Sequence, residues 1–302
     1  MRTALLFCFI LLLTTAQSQE QKKDKKLTKQ LVHLVSGFNG DIGVYVKNLR
    51  TGKSVSINAD STFPTASIVK IPLAVGIMDK LAQGQIAYHQ EFIYNDSLLY
   101  PGVDILGSYK NGEKIELSKL LMLMLSTSDN TASLWLQSLA GTGARVNMLM
   151  DSLGFPQLRV NSRTPGREAA REQYGWGQMT PKAVATLLEN IYRRQIISPA
   201  ASDRLLRSLN RNYWDAEALS QLPPYAAVYS KNGAVDASRS EVVLVRGKRS
   251  EYLFCIATKN NKDQSWEKTN EAWTLTRKLS AFLWDYFERD GWKPAADADK
   301  FE

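Results

Sequence analysis

The chain has 302 residues, 44% of them hydrophobic, with 38 basic against 30 acidic side chains and a formal net charge of +8. That apolar share excludes a disordered chain and supports one large domain or two small ones. No nucleic-acid-binding motif accompanies the positive charge, so no nucleic-acid partner is expected.

Residues 1–18 stand apart. Arg2 is followed by ten apolar residues, Ala4 to Leu13, and then by TTAQS. A basic start, a short apolar run and small residues at Ala16 and Ser18 predict a secretory signal cleaved after Ser18. The run is too short for a membrane span, which takes about 20 residues. Cys8 lies inside the run, which argues against a lipid-anchor cysteine at the cut. The protein is therefore expected to be exported. Loss of residues 1–18 removes Arg2 and no acid, so the net charge falls from +8 to +7. Much of the remainder is Lys22, Lys23, Lys25 and Lys26, read as a solvated tail. The mature chain keeps one cysteine, Cys255, which cannot pair internally and is expected as a small buried hydrophobe in a strand.

Residues 27–38 read as a short amphipathic helix ending near Gly37 and Gly40. Ile42, Val44 and Val46 alternate with Gly43 and Tyr45, and after the turn NLRTG the alternation resumes at Val55 and Ile57, which predicts a hairpin. From 67 to 210 the signals are mostly helical. Strand patterns return in AAVYSK, EVVLVRG and EYLFCIATK. Leu275, Leu279, Phe282, Leu283 and Tyr286 then recur at helical spacing. The expected fold is α/β of the α+β kind, with one domain over residues 19–302. An antiparallel sheet built from both chain ends (about 27–62 and 224–289) carries the terminal helices, beside a central all-helical lobe (about 66–217). A site between the lobes is expected.

Three short segments carry chemistry. Ser67 and Lys70 lie three apart at the start of SIVKIPLAVGIMDKLA, on one face of a helix. A serine hydroxyl needs a base, and a lysine serves when neutral. That requires lowering its pKa by about 3 near neutral pH, through burial or a second cation. Ser265 and Lys268 repeat the spacing in a polar segment and are read as a chance match. The second segment is LLMLMLSTSDNTAS. Six apolar residues, Leu120 to Leu125, are expected inside and deliver Ser128, Asp129 and Asn130 to an interior point. Capping of the next helix by Ser128 or Asn130 accounts for part of that pattern. The third is VYSKNGAV, where Lys231, Asn232 and Gly233 end a strand and the glycine permits close approach of a ligand. Lys110 to Gly112 repeats K-N-G in a polar loop.

S-x-x-K, then S-D-N, then K-x-G, separated by 61 and 103 positions, resembles the penicillin-recognising serine enzymes, and in particular the class A β-lactamase branch, over almost the whole mature chain. The resemblance implies that Ser67 is the acylated nucleophile, Lys70 its base partner and Ser128 the proton relay to the leaving nitrogen. It implies that Asn130 binds the substrate amide and Lys231 the substrate carboxylate. The N–H groups of Ser67 and Ala234 would form the oxyanion hole, with Asp129 holding the turn. The family usually has Thr or Ser where this chain has Asn232. Arg239, in ASRSEVV, is the candidate for an arginine that meets the carboxylate. In the loop NSRTPGREAAREQYGWGQMTP the family places a glutamate that activates the deacylating water. An ungapped count falls on Thr164, leaving Glu168, four residues on, as the candidate and Glu172 behind it. The expected function is a serine β-lactamase. The alternative is a penicillin-binding D-alanyl peptidase or transpeptidase, or a slowly deacylating sensor, on β-lactam or cell-wall peptide substrates. A monomer is expected. No cofactor or metal is implied: His33 and His89 are isolated.

Overall fold

The computed structural model of the chain describes residues 22–102 and 104–301. The leader expected at 1–18 lies outside the described residues. The first part of the chain forms α1 (Lys25–Val35), β1 (Asp41–Asn48), β2 (Ser54–Ile57), β3 (Phe63–Pro64) and α2 (Lys70–Ala82). β4 (Glu91–Ile93), β5 (Lys114–Glu116), α3 (Leu117–Met122), α4 (Asn130–Leu139) and α5 (Thr142–Ser152) follow. Then come β6 (Arg159–Val160), α6 (Glu168–Tyr174), β7 (Gly177–Met179), α7 (Pro181–Tyr192) and α8 (Pro199–Leu209). The chain closes with β8 (Ala227–Val235), β9 (Ser238–Arg246), β10 (Glu251–Lys259) and α9 (Glu271–Phe287).

β2-β1-β10-β9-β8 make one antiparallel sheet, so the two chain ends do share a sheet, as the strand patterns predict. Its two faces are both covered. Val44, Val46, Val243, Val245, Phe254 and Ile256 turn toward α1 and α9, while Tyr45, Val242, Leu244, Leu253 and Cys255 turn toward the central helices. Burial on both faces explains why these strands read as nearly continuous apolar runs. Cys255 is fully buried there.

The helix starts follow their caps. Asp24 accepts from the N–H of Leu27 and starts α1 earlier than its apolar periodicity indicates. Thr180 before Pro181 and Ser198 before Pro199 cap α7 and α8, with proline at the first helical position where no N–H is needed. α2 is buried from Lys70 to Met78 and forms the centre of the helical lobe. Lys70 is thereby carried into the interior between that lobe and the sheet. Among the described residues, no helix is long and apolar enough to cross a membrane.

Candidate active site

Ser67 lies in a 3-10 turn, Ala66–Val69, that leads into α2. Ala66 has φ +41°, a left-handed backbone rare for a residue with a side chain. Ser67 is partly exposed into the cavity; Lys70, one turn on, is fully buried.

The helix that begins at Leu117 changes pitch. Leu123–Thr127 is one π-helical stretch, and the chain leaves it at Ser128 with φ +62°. The N–H of Asp129 reaches back to the carbonyl of Leu123, a helix stop of the left-handed type normally made with glycine. Strain of this kind, roughly 1–3 kcal/mol, concentrates at functional sites. Leu117, Leu120, Leu121 and Met124 share the buried face of this helix, and Met122, on the outer face with Lys119, is 42% exposed, so the six-residue apolar run is not uniformly buried as expected. Asp129 then caps α4 by accepting from the N–H of Ala132, and its other oxygen accepts from Leu106. The cap is Asp129, not Ser128 or Asn130, so the side-chain oxygens of both of the latter are left to meet Lys70.

The Nζ of Lys70 lies 3.0 Å from Ser67 Oγ, 3.0 Å from Ser128 Oγ and 2.8 Å from Asn130 Oδ1, and it also contacts the Ser128 carbonyl. Burial brings its pKa down to about 7, against the opposing charges of Asp104 and Asp129. A neutral amine has two N–H groups and one lone pair. The Ser128 carbonyl and Asn130 Oδ1 are oxygens that only accept, and they use both N–H groups. The lone pair is left for a hydroxyl, that of Ser67 or Ser128. The contact set therefore fits an amine that receives a proton.

Lys231 is fully buried, and its Nζ donates to the carbonyl (2.9 Å) and the Oδ1 (3.1 Å) of Asn232. Burial, and then the nearby charge of Lys70, push it well below the ordinary lysine range. Gly233 backs onto the Ser67 turn. A Cβ there would stand 2.5 Å from the Thr65 carbonyl and 2.8 Å from the Ser67 nitrogen. Only glycine fits that approach, which is why K-x-G ends in glycine. Ala234 follows on the cavity wall beside Ser67 and Asn130.

Ser67, Asn130 and Ala234 line a cavity of about 410 Å³ whose other walls include Tyr100, Gln173, Tyr174, Trp176, Ser238 and Lys259, while Lys70 and Lys231 are buried behind it. Trp176 meets Tyr100 edge-to-face at 5.1 Å, and its ring is 6.0 Å from Lys70 Nζ. The sequence signal for Trp176 is an aromatic between two glycines in the loop expected to face the serine. Asp104 gave no signal. Its Oδ2 accepts from the N–H groups of Asn130 (2.9 Å) and Thr131 (2.8 Å).

Two expected residues lie elsewhere. Arg239 is buried at 2% exposure with its guanidinium 4.4 Å from the Trp266 ring and 4.7 Å from that of Trp273. Its cause is strand parity. Arg239 shares a sheet face with Val243 and Val245, toward α9, while Ser238 beside it lines the cavity. Glu168 is exposed at the start of α6, accepts from the Gly166 N–H at 3.1 Å, and lines a separate depression with Thr164 and Arg171. Glu172 is exposed on the same helix. The part of this loop that faces Ser67 is 173–176. Thr164 is buried and donates to the Ser162 carbonyl at 2.9 Å. Among the described residues, no carboxylate lines the Ser67 cavity. The chance matches stay outside it: Lys110 to Gly112 sits in the loop before β5, and Ser265 and Lys268 in the loop before α9. Among the described residues, no group of three His, Cys, Asp or Glu side chains could hold a metal ion.

The model of the "Beta-lactamase enzyme family" matches residues 26–287. The chain is 22% identical to Beta-lactamase VEB-1 of Pseudomonas aeruginosa over 86% of its own length and 90% of that protein's. It is 26% identical to an imipenem-hydrolyzing beta-lactamase of Enterobacter cloacae, over 88% and 92% of the two chains. Among solved structures it is similar to PBP-A, with a TM-score of 0.79 and 23% identity over 89% of this chain and 98% of that one. The match extends from α1 to the end of α9 and takes in Ser67, Lys70, Ser128 and Lys231: the chain belongs to the beta-lactamase enzyme family.

Proposed function

We propose that the protein is a penicillin-recognising serine enzyme that is acylated at Ser67 by β-lactams and releases the acyl group slowly. The carrying observation is the set of oxygens around Lys70, which commits both N–H groups of a neutral amine to acceptors and turns its lone pair to a hydroxyl. Ser67 Oγ attacks the lactam carbonyl carbon and its proton passes to Lys70 Nζ. The C–N bond breaks, and the leaving nitrogen takes a proton from Ser128, which regains one from Lys70. The N–H groups of Ser67 and Ala234 receive the oxyanion, a contribution of about 3–4 kcal/mol. Asn232, whose Oδ1 accepts from the buried Lys231, offers its amide N–H to the substrate carboxylate, and Asn130 meets the amide of the acyl arm.

Slow release follows from the cavity walls. Hydrolysis of the acyl-serine needs a base beside the ester, and Tyr174 and Trp176 stand where the loop approaches Ser67, with Glu168 in another depression. One solved structure of a PBP-A mutant is an acyl-enzyme complex with penicillin G, and an acyl-serine of the same chemistry is proposed here. D-alanyl peptides of the cell wall present the same amide and carboxylate and are the proposed natural substrates. Export directed by residues 1–18 fits that target. Mixing with a chromogenic cephalosporin tests the reading. One equivalent of colour followed by little turnover supports it, and Ser67→Ala removes the burst. Sustained turnover by the native chain would favour the efficient β-lactamase that the family names suggest.

A further inference from the structure

We infer that Asp104 is a positioning residue for acylation: one carboxylate oxygen pins the start of α4, and with it Asn130 against Lys70. The inference rests on the reading of Lys70 as the base. Asn130 and Thr131 are the first two residues of α4, whose N–H groups have no partner within the helix. Asp104 Oδ2 accepts from both, at 2.9 and 2.8 Å, and lies 3.3 Å from the Thr131 hydroxyl. Asp129 takes only the third, that of Ala132. The cap of α4 is thus shared by two carboxylates 25 positions apart, and the Asp104 half holds the backbone of the residue whose Oδ1 sits 2.8 Å from Lys70 Nζ. If Asp104 is removed, Asn130 loses the backbone anchor that sets its side chain on the amine.

The charges that act on Lys70 come from three directions. Asp104 acts from the loop, Asp129 from the turn after Ser128, and Lys231 from β8, with the Trp176 ring as a further wall. Both carboxylates favour the ammonium, and burial opposes them. Asp104 therefore does two separable things, and two substitutions separate them. Asp104→Asn keeps an oxygen that accepts from both N–H groups and removes the charge. Asp104→Ala removes both.

The test compares acylation rates from about pH 5 to pH 9 and follows the Lys70 titration by NMR of ¹³C-lysine-labelled protein. In Asp104→Asn the acid limb of the acylation profile and the Lys70 midpoint are expected to move down by roughly half a pH unit. At pH 6 the variant then reaches about three times the native fraction of its own plateau rate. In Asp104→Ala the plateau rate is expected to fall about tenfold and the Asn130 and Thr131 amides to exchange faster. Native amide exchange and a native plateau rate in Asp104→Ala, or a tenfold fall of the plateau in Asp104→Asn, would overturn the inference, and the second variant decides even where Asp104→Ala does not fold. A native protein that no β-lactam acylates would sink the functional reading instead, while the exchange of the Asn130 and Thr131 amides still judges Asp104.

Discussion

Replacing Lys70 by methionine should abolish acylation and flatten the rise of the fold's stability with pH. The amine is fully buried, and its pKa falls from 10.5 to about 7, chiefly through that burial. A drop of about 3.5 at about 1.4 kcal/mol each corresponds to about 5 kcal/mol of stability withheld at low pH. The sign follows from proton binding. Between about pH 7 and 10.5 the unfolded chain holds the Lys70 proton more often than the folded one. Native stability therefore rises with pH across that window, and the methionine variant lacks this rise. Methionine also leaves the Ser128 carbonyl and Asn130 Oδ1 without their donor, at about 1–3 kcal/mol each, but that cost does not change with pH. Lys231 is depressed chiefly by its own burial, which both proteins share. The informative quantity is therefore the slope. In urea unfolding, the stability difference between variant and native protein should shrink by about 2 kcal/mol between pH 7 and pH 9. A difference constant to within about 0.5 kcal/mol would refute the depressed lysine, and with it the base assigned to Ser67.

Three further substitutions probe separate parts of the site. Gly233→Ala places a Cβ 2.5 Å from the Thr65 carbonyl and 2.8 Å from the Ser67 nitrogen, and stopped-flow acylation should fall by about 100-fold as the Ser67 turn is displaced. Arg239→Met should lower stability by about 2 kcal/mol through loss of its two indole contacts, and leave acylation within about twofold of native; a large loss of acylation would place Arg239 in substrate binding after all. Glu168→Gln should leave the decay of the acyl-enzyme within about twofold of native, measured by recovery of free enzyme after a penicillin pulse.

The sheet was legible because its strands are apolar on both faces and bounded by turns, as in EVVLVRG and EYLFCIATK. The three motifs were legible because each adjoins a buried apolar element, S-x-x-K at the start of α2 and S-D-N after the helix from Leu117, although K-x-G lies within β8, which runs on to Val235 and does not end at Gly233 as expected. The misplacements have local causes. Arg239 differs from Ser238 by one position, and on a strand one position is the other face. The loop from 161 to 180 has no periodicity that orients its carboxylates, and in the fold its aromatic end faces Ser67 while Glu168 caps a surface turn. Asp104 acts through a backbone contact across 26 positions, and no spacing rule encodes such a contact. Met122 is exposed because it lies on the helix face opposite Leu120, Leu121 and Met124, and a run of six apolar residues hides which face turns outward.

The account stands most directly on the fate of the Ser67 hydroxyl. Intact-protein and peptide mass spectrometry after a brief exposure to penicillin G, with the drug then removed, follows it. The expected result is one opened penicillin per chain, mapped to the peptide containing Ser67 and persisting long after the free drug is gone. An unmodified Ser67 peptide, or an adduct that vanishes as fast as it forms while the drug is consumed, would contradict it.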